Sequence, residues 1–149
     1  LLARILEDKR RRWPNATFEV SVEPGLPPVT SDEASIDLIV RNIISNALKY
    51  GSPEGTVRIT AERSGDMVAI TVEDEGPGLS VERAERLFDL FYRADDARLR
   101  AQGAGIGLFV VRALTEASGG RVEAANRPEG GARFTVRLPI YVDLDDADD

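Results

Sequence analysis

TVRITAERSGDMVAITVED, residues 56–74, alternates apolar and polar positions on both sides of Ser64-Gly65-Asp66. Successive strand residues point to opposite faces, so this pattern reads as two half-buried strands joined in a hairpin. Val68, Ile70, Val72 and Asp74 then share one face. A carboxylate that continues an apolar row needs a donor. Residues 18–22, FEVSV, alternate as a further strand, and PGLPP (24–28) reads as a stiff loop. RVEAAN and RFTVRLP form another strand pair around PEGG. Hairpins with a few helices predict one α+β domain, a mixed but mostly antiparallel sheet with helices on one face.

Upstream of the hairpin, TSDE (30–33) has capping-box form, with Thr30 as the expected N-cap. A long helical pattern follows and stops at GSPEG (51–55). At about 100° per residue, Ile36, Ile39, Val40, Ile43 and Ala47 form one apolar stripe. Asn42, Asn46 and Lys49 gather on its shoulder, with Tyr50 between shoulder and core. Asparagine suits helix interiors poorly, because its amide competes for backbone hydrogen bonds. Two amides and an ammonium converging there imply a polar ligand; a hydrated helix flank is the plainer alternative.

Downstream, Gly76 and Gly78 flank Pro77 in a stiffened turn that could bring a flat ligand close to the backbone. An exocyclic amine is the kind of donor Asp74 could receive; a solvated aspartate closing a strand is the alternative. GAGIGL (103–108) precedes a second helical pattern that runs from about Gly105 to Ser118. Its amides could cradle phosphate oxygens at a helix N-terminus. No G-K-[ST] follows and no strand precedes it, so it is neither a Walker loop nor a Rossmann fingerprint.

Composition narrows the chemistry. The 149 residues are 42% hydrophobic and 30% charged, as in an ordinary globular domain. With no cysteine and no histidine, the chain has no disulfide, thiolate nucleophile or imidazole base. A metal here should be a hard ion held by oxygen. The formal charge is −7, and five aspartates lie in the last seven residues, DLDDADD, expected to be a disordered tail. The single basic run, KRRR at 9–12, is short and lacks interleaved aromatics, so no nucleic-acid surface is expected. Leu2, Ile5 and Leu6 have helical spacing, so residues 1–12 read as the end of a helix from something longer. That leaves 13–142 as the domain and 143–149 as the tail.

In order, the motifs are N-x-x-x-N-A-x-K-Y, D-E-G-P-G-L, L-F-x-x-F-Y-R, G-A-G-I-G-L and E-G-G-A-R-F-x-x-x-L-P. Over residues 17–140 this series resembles the ATP-binding catalytic domain of bacterial sensor histidine kinases. They belong to the GHKL ATPases, with gyrase, the heat-shock chaperone ATPases and MutL. The resemblance implies the Bergerat fold, a two-layer α/β sandwich, with ATP and Mg²⁺ as ligands. It puts Asn46 on the metal, Lys49 near the phosphates and Tyr50 against base and sugar. Asn42 falls where gyrase-type relatives carry a water-activating glutamate, and an amide cannot be that base. Asp74 matches the adenine-reading aspartate, with Gly76, Gly78 and Leu79 lining the pocket. Gly103, Ala104, Gly105, Ile106, Gly107 and Leu108 match the second glycine box. Phe88, Phe91 and Arg93 match the phenylalanine box, and residues 92–104 the mobile lid, where Arg93, Arg98 and Arg100 could meet phosphate. Gly131-Ala132 departs from the pattern, because many members place a hydroxyl residue there.

The implied reaction is transfer of the γ-phosphoryl group to a histidine, catalysed through Asn42, Lys49 and Arg93. The acceptor would lie on the protein's own upstream dimerisation domain, with a response regulator as indirect partner. The implied setting is cytoplasmic, in a homodimeric parent that could be an inner-membrane sensor, with the isolated domain monomeric. Two other readings stand beside it: an anti-sigma-type serine kinase of the same fold, and a non-enzymatic nucleotide-binding module.

Overall fold

The computed structural model describes residues 1–52, 54–89 and 107–142. The elements run α1 (Leu2–Arg12), β1 (Thr17–Val22), α2 (Glu33–Tyr50), β2 (Thr56–Ser64), β3 (Met67–Glu73), α3 (Val81–Arg86), α4 (Gly107–Ala117), β4 (Arg121–Asn126) and β5 (Ala132–Pro139). The expected tail 143–149 lies outside the described residues, as do residues 90–106.

The five strands form one sheet in the order β1-β2-β3-β5-β4. Only β1 and β2 are parallel; the other neighbours are antiparallel. The α+β reading is therefore right, down to the mixed sheet. Period-two burial is cleanest in β5, where Ala132, Phe134, Val136 and Leu138 are buried and their neighbours are half-buried. Those four join Val57, Ile59 and Val72 of the sheet and Ile39, Val40, Ile43 and Val111 of α2 and α4 in one core. Intervening positions carry ion pairs instead: Arg58 with Glu19, Arg133 with Glu73, and Arg137 with Glu123. A face laced with such pairs needs no second helical layer.

The stripe of α2 proves wider than its sequence pattern. Ile44 and Leu48 are buried too, whereas Ile36 is only half-buried. The cause is α1, which lays Ile5 and Leu6 into the same core. An ionic seam follows the two helices, with Arg41 reaching Asp8 and Asp37, each at 2.8 Å. Arg41 is half-buried, which lifts this seam above an ordinary surface pair.

The cap of α2 corrects one expectation. Asp32, not Thr30, is the N-cap, and its Oδ1 accepts from the Ser35 amide at 2.7 Å. Thr30 is engaged elsewhere: its hydroxyl donates to the Ser118 carbonyl and its amide to the Pro139 carbonyl. Loop 24–30 is thus stitched beside the end of β5, where Val29 bridges Ile140.

The Ser35 amide holds the Asp32 carboxyl below its ordinary value of 3.8. A depressed carboxylate stabilises the fold above its unfolded pKa and loses that contribution as pH falls through the folded value. Asp32→Ala should therefore lower Tm at neutral pH, with the gap to wild type closing below pH 3.8. Asp32→Asn, an equally good cap, should keep most of the stability without that pH dependence. A gap of constant size across the acid range would contradict the assignment.

Candidate functional site

Three pieces of chain meet at the C-terminal half of α2: the loop after β3, the start of α4, and the turn between β4 and β5. Glycines set how closely they meet. A Cβ on Gly107 would lie 2.8 Å from Asn42 Oδ1, so the first turn of α4 abuts the asparagine shoulder. A Cβ on Gly76 would lie 2.6 Å from Gly51 Cα and 2.7 Å from the Tyr50 carbonyl. One on Gly51 would lie 3.0 Å from Asp74 Cβ. Backbone thus packs on backbone where α2 ends.

Asp74 is 3% exposed. Its Oδ1 accepts from the amides of Gly76 (2.9 Å) and Ala132 (3.1 Å). Oδ2 has no partner among the described residues and is the oxygen left for a ligand. Main-chain donors keep a buried carboxylate satisfied without a cation at its oxygens. The alternative of a solvated aspartate fails. At Gly131-Ala132, where many family members carry a hydroxyl, the backbone amide of Ala132 contacts Asp74.

Asn46 is 7% exposed, and its Nδ2 has no hydrogen-bond partner among the described residues. An orphaned buried amide costs on the order of 1–3 kcal/mol, which a ligand can return. The asparagine beside it is better served: Asn42 Nδ2 donates to the Leu38 carbonyl at 2.8 Å. Lys49 is half-buried on the same shoulder. Across the helix seam, Lys9 donates to the Ser45 hydroxyl. Burial lowers the Lys9 pKa, and the positive charges of Arg41 and Lys49 lower it further. The Tyr50 ring carries the Arg83 guanidinium on one face, 4.2 Å from its centroid.

The model of the histidine kinase-, DNA gyrase B- and HSP90-like ATPases matches residues 31–142. The chain belongs to this family. It is 38% identical over 129 residues to the signal transduction histidine-protein kinase AfsQ2 of Streptomyces coelicolor, covering 87% of this chain and 23% of that one. It is 36% identical over 137 residues to the sensor histidine kinase CpxA of Escherichia coli, covering 85% and 30%. The chain thus spans less than a third of the length of these relatives. Among solved structures, the mycobacterial sensor histidine kinase MprB superposes with a TM-score of 0.80 at 28% identity, over 93% of this chain and 92% of that one. Full-length ShkA, solved with AMPPNP, gives 0.78 at 27% identity, over 95% and 30%.

For an ATPase of this family, several expected residues sit together: Asn42, Asn46, Lys49 and Tyr50 on α2, Gly107 at its flank, and Asp74 at its end. Gly76 and Gly78 have a different reason to be glycine than close approach of a ligand. The space beside Gly76 is filled by α2 backbone. That beside Gly78, at φ +83°, holds Asn126 Oδ1 at 2.7 Å. Leu79 and Leu108 pack in or against the core. Phe88 also packs against it. Gly103, Ala104, Gly105, Ile106, Phe91, Arg93, Arg98 and Arg100 lie outside the described residues.

Sequence reading missed Gly51, Arg83, Asn126 and Arg127. Only Gly51 had a signal, as the first residue after a helix. The α2 contact predicts that Gly76→Ala destabilises the ligand-free protein by about 1–3 kcal/mol, read from its urea midpoint. An unchanged midpoint would give Gly76 back to the ligand.

Proposed function

We propose that this chain is the catalytic ATP-binding domain of a sensor histidine kinase, moving the γ-phosphoryl group of ATP to a histidine. The observation that carries it is the span of α2 between its two contacts. Asn42 touches the start of α4, and Gly51, nine residues on, touches Asp74. Nine residues of helix measure about 13 Å, room for a base at one end and a phosphate chain at the other. The open Asp74 oxygen takes the exocyclic amine of adenine. The α4 N-terminus and Lys49 take phosphate charge.

Asn46 fits the role of magnesium ligand. Its side-chain oxygen is a hard ligand atom, and its Nδ2 has no partner among the described residues. Among the described residues no cluster of three acidic, histidine or cysteine side chains could cage a metal. That suits an ion bound by one or two protein oxygens, phosphates and water. When bound, Mg²⁺ neutralises charge on the phosphoryl oxygens. Asn42 orients and cannot deprotonate, which suits a nucleophile that needs no base; neutral imidazole is one. Catalysis is then positioning and charge stabilisation.

Lacking histidine, the chain needs an acceptor from elsewhere. We place it on an upstream dimerisation domain continuous with α1, with a response regulator next in line, on the cytoplasmic side. No described helix is long and apolar enough to cross a membrane. Arg93 and the second glycine box are proposed to close over the phosphates. The final seven residues are proposed as a solvated tail whose removal leaves Tm unchanged.

Mixing this domain with its upstream helical domain and labelled ATP should put acid-labile, base-stable phosphate on that partner. Acid-stable label would mean serine transfer, and absence of label a binding module. Asn46→Ala should abolish the Mg²⁺-dependent part of ATP affinity by calorimetry; full retention removes the metal assignment. Asp74→Asn should weaken ATP more than GTP, and an equal loss would make Asp74 structural.

A further inference from the structure

The turn between β4 and β5 grips the loop after β3 at both ends, through two side chains that the nucleotide reading leaves without a role. At the far end, the Asn126 amide bonds Leu79 twice: Oδ1 accepts from Leu79 N (2.6 Å), and Nδ2 donates to Leu79 O (3.0 Å). At the near end, an Arg127 terminal nitrogen donates to the Asp74 carbonyl at 2.9 Å. Its Nε forms ion pairs with Glu73 at 3.1 Å and Glu129 at 3.5 Å, without a hydrogen bond among the described residues. The Arg127 side chain is 9% exposed and that of Glu73 13%, so this pair is held inside the fold. Glu73 shares the same oxygen with Arg133 at 3.0 Å.

We propose that Arg127 is a positioning residue for base recognition, acting through Asp74. The inference rests on the nucleotide reading above. The Asp74 carbonyl belongs to the planar peptide that joins Asp74 to Glu75. Holding that carbonyl fixes the plane, and with it the path of the chain to Gly76, whose amide returns to Asp74 Oδ1. The second donor to Oδ1, the Ala132 amide, comes from the strand just after the same turn. Arg127 therefore clamps the piece of backbone that points the free Oδ2 at its ligand. Only a guanidinium fork can meet Glu73 through one nitrogen and the Asp74 carbonyl through another in fixed geometry; an ammonium is a single point charge. An orienting device of this kind governs discrimination between bases more than binding strength.

The test is Arg127→Lys, which keeps a positive charge beside Glu73 and loses the fork. ATP and inosine triphosphate, which differ in the amine that faces Asp74, are titrated calorimetrically into wild type and variant. Loss of one orienting hydrogen bond should lower the ATP-over-ITP preference about tenfold. Amide exchange at Gly76 and Ala132 should quicken while that at Val72 and Phe134 holds. A folded variant with an unchanged ratio, or with equal losses for both nucleotides, overturns the inference. Wild type that binds both without preference overturns the base-reading role of Asp74 and this inference together. Wild type that binds neither overturns the nucleotide site itself. Should the lysine variant fail to fold, the pair Glu73→Gln and Arg127→Gln removes both buried charges at once. The same fall in ratio is expected of it, with the same result overturning the inference.

Discussion

A carboxylate with almost no access to solvent holds the ligand end of this domain together. Asp74 stands where the apolar row of β3 should end, and a carboxylate buried there needs hydrogen-bond donors. Two backbone amides on one of its oxygens make the burial tolerable. Those amides come from the loop after β3 and from the first residue of β5, so the loop, the central strands and the β4–β5 turn must all be in register. The ladder bond from Asp74 N to the Ala132 carbonyl fixes that register. Gly131 completes the fit, because any Cβ there would strike the Asp74 carbonyl.

α2 answers to three neighbours at once. Ile39, Ile43 and Ala47 lie in the core with the sheet, Ile44 and Leu48 share it with α1, and Asn42 meets α4. Its outer face stays exposed at Glu33, Ala34 and Leu38, while the shoulder is buried at Asn46 and half-buried at Lys49. Polar residues with low helix propensity are tolerated there because tertiary packing, not propensity, makes this helix.

Alternation in 56–74 and 132–139 was enough to find the antiparallel core, because period two has no helical counterpart. The buried position of Asp74 followed from the same arithmetic. Other features resist sequence reading for definite reasons. The breadth of the α2 stripe depends on α1, a partner that no periodicity within α2 reveals. The choice of Asp32 over Thr30 as cap turns on the docking of loop 24–30, since both residues are good caps and Thr30 has a carbonyl waiting at Ser118. Gly76 looked like a place for a ligand because a missing side chain looks the same whether chain or ligand fills the space. Asn126 ends a strand and Arg127 opens a turn as many residues would; what they hold is 47 and 53 positions away.

Charge is arranged with equal economy. On the open face of the sheet, arginines and glutamates alternate across strands and cancel locally, so that face carries little field toward the nucleotide. At the α1–α2 seam the balance differs. Arg41 is answered by Asp8 and Asp37, whereas Lys9 is pressed by burial, Arg41 and Lys49, only partly offset by Asp8, and has a neutral serine hydroxyl as its hydrogen-bond acceptor. Burial and like charge both work against the Lys9 ammonium, so the seam carries an electrostatic cost in the empty protein. A triphosphate at the shoulder would relieve part of that cost, because an anion favours the charged form of a nearby lysine. A chain whose formal charge is −7 can thus still offer a polyanion a positive place to sit. That seam runs along the helix edge where α1 is docked.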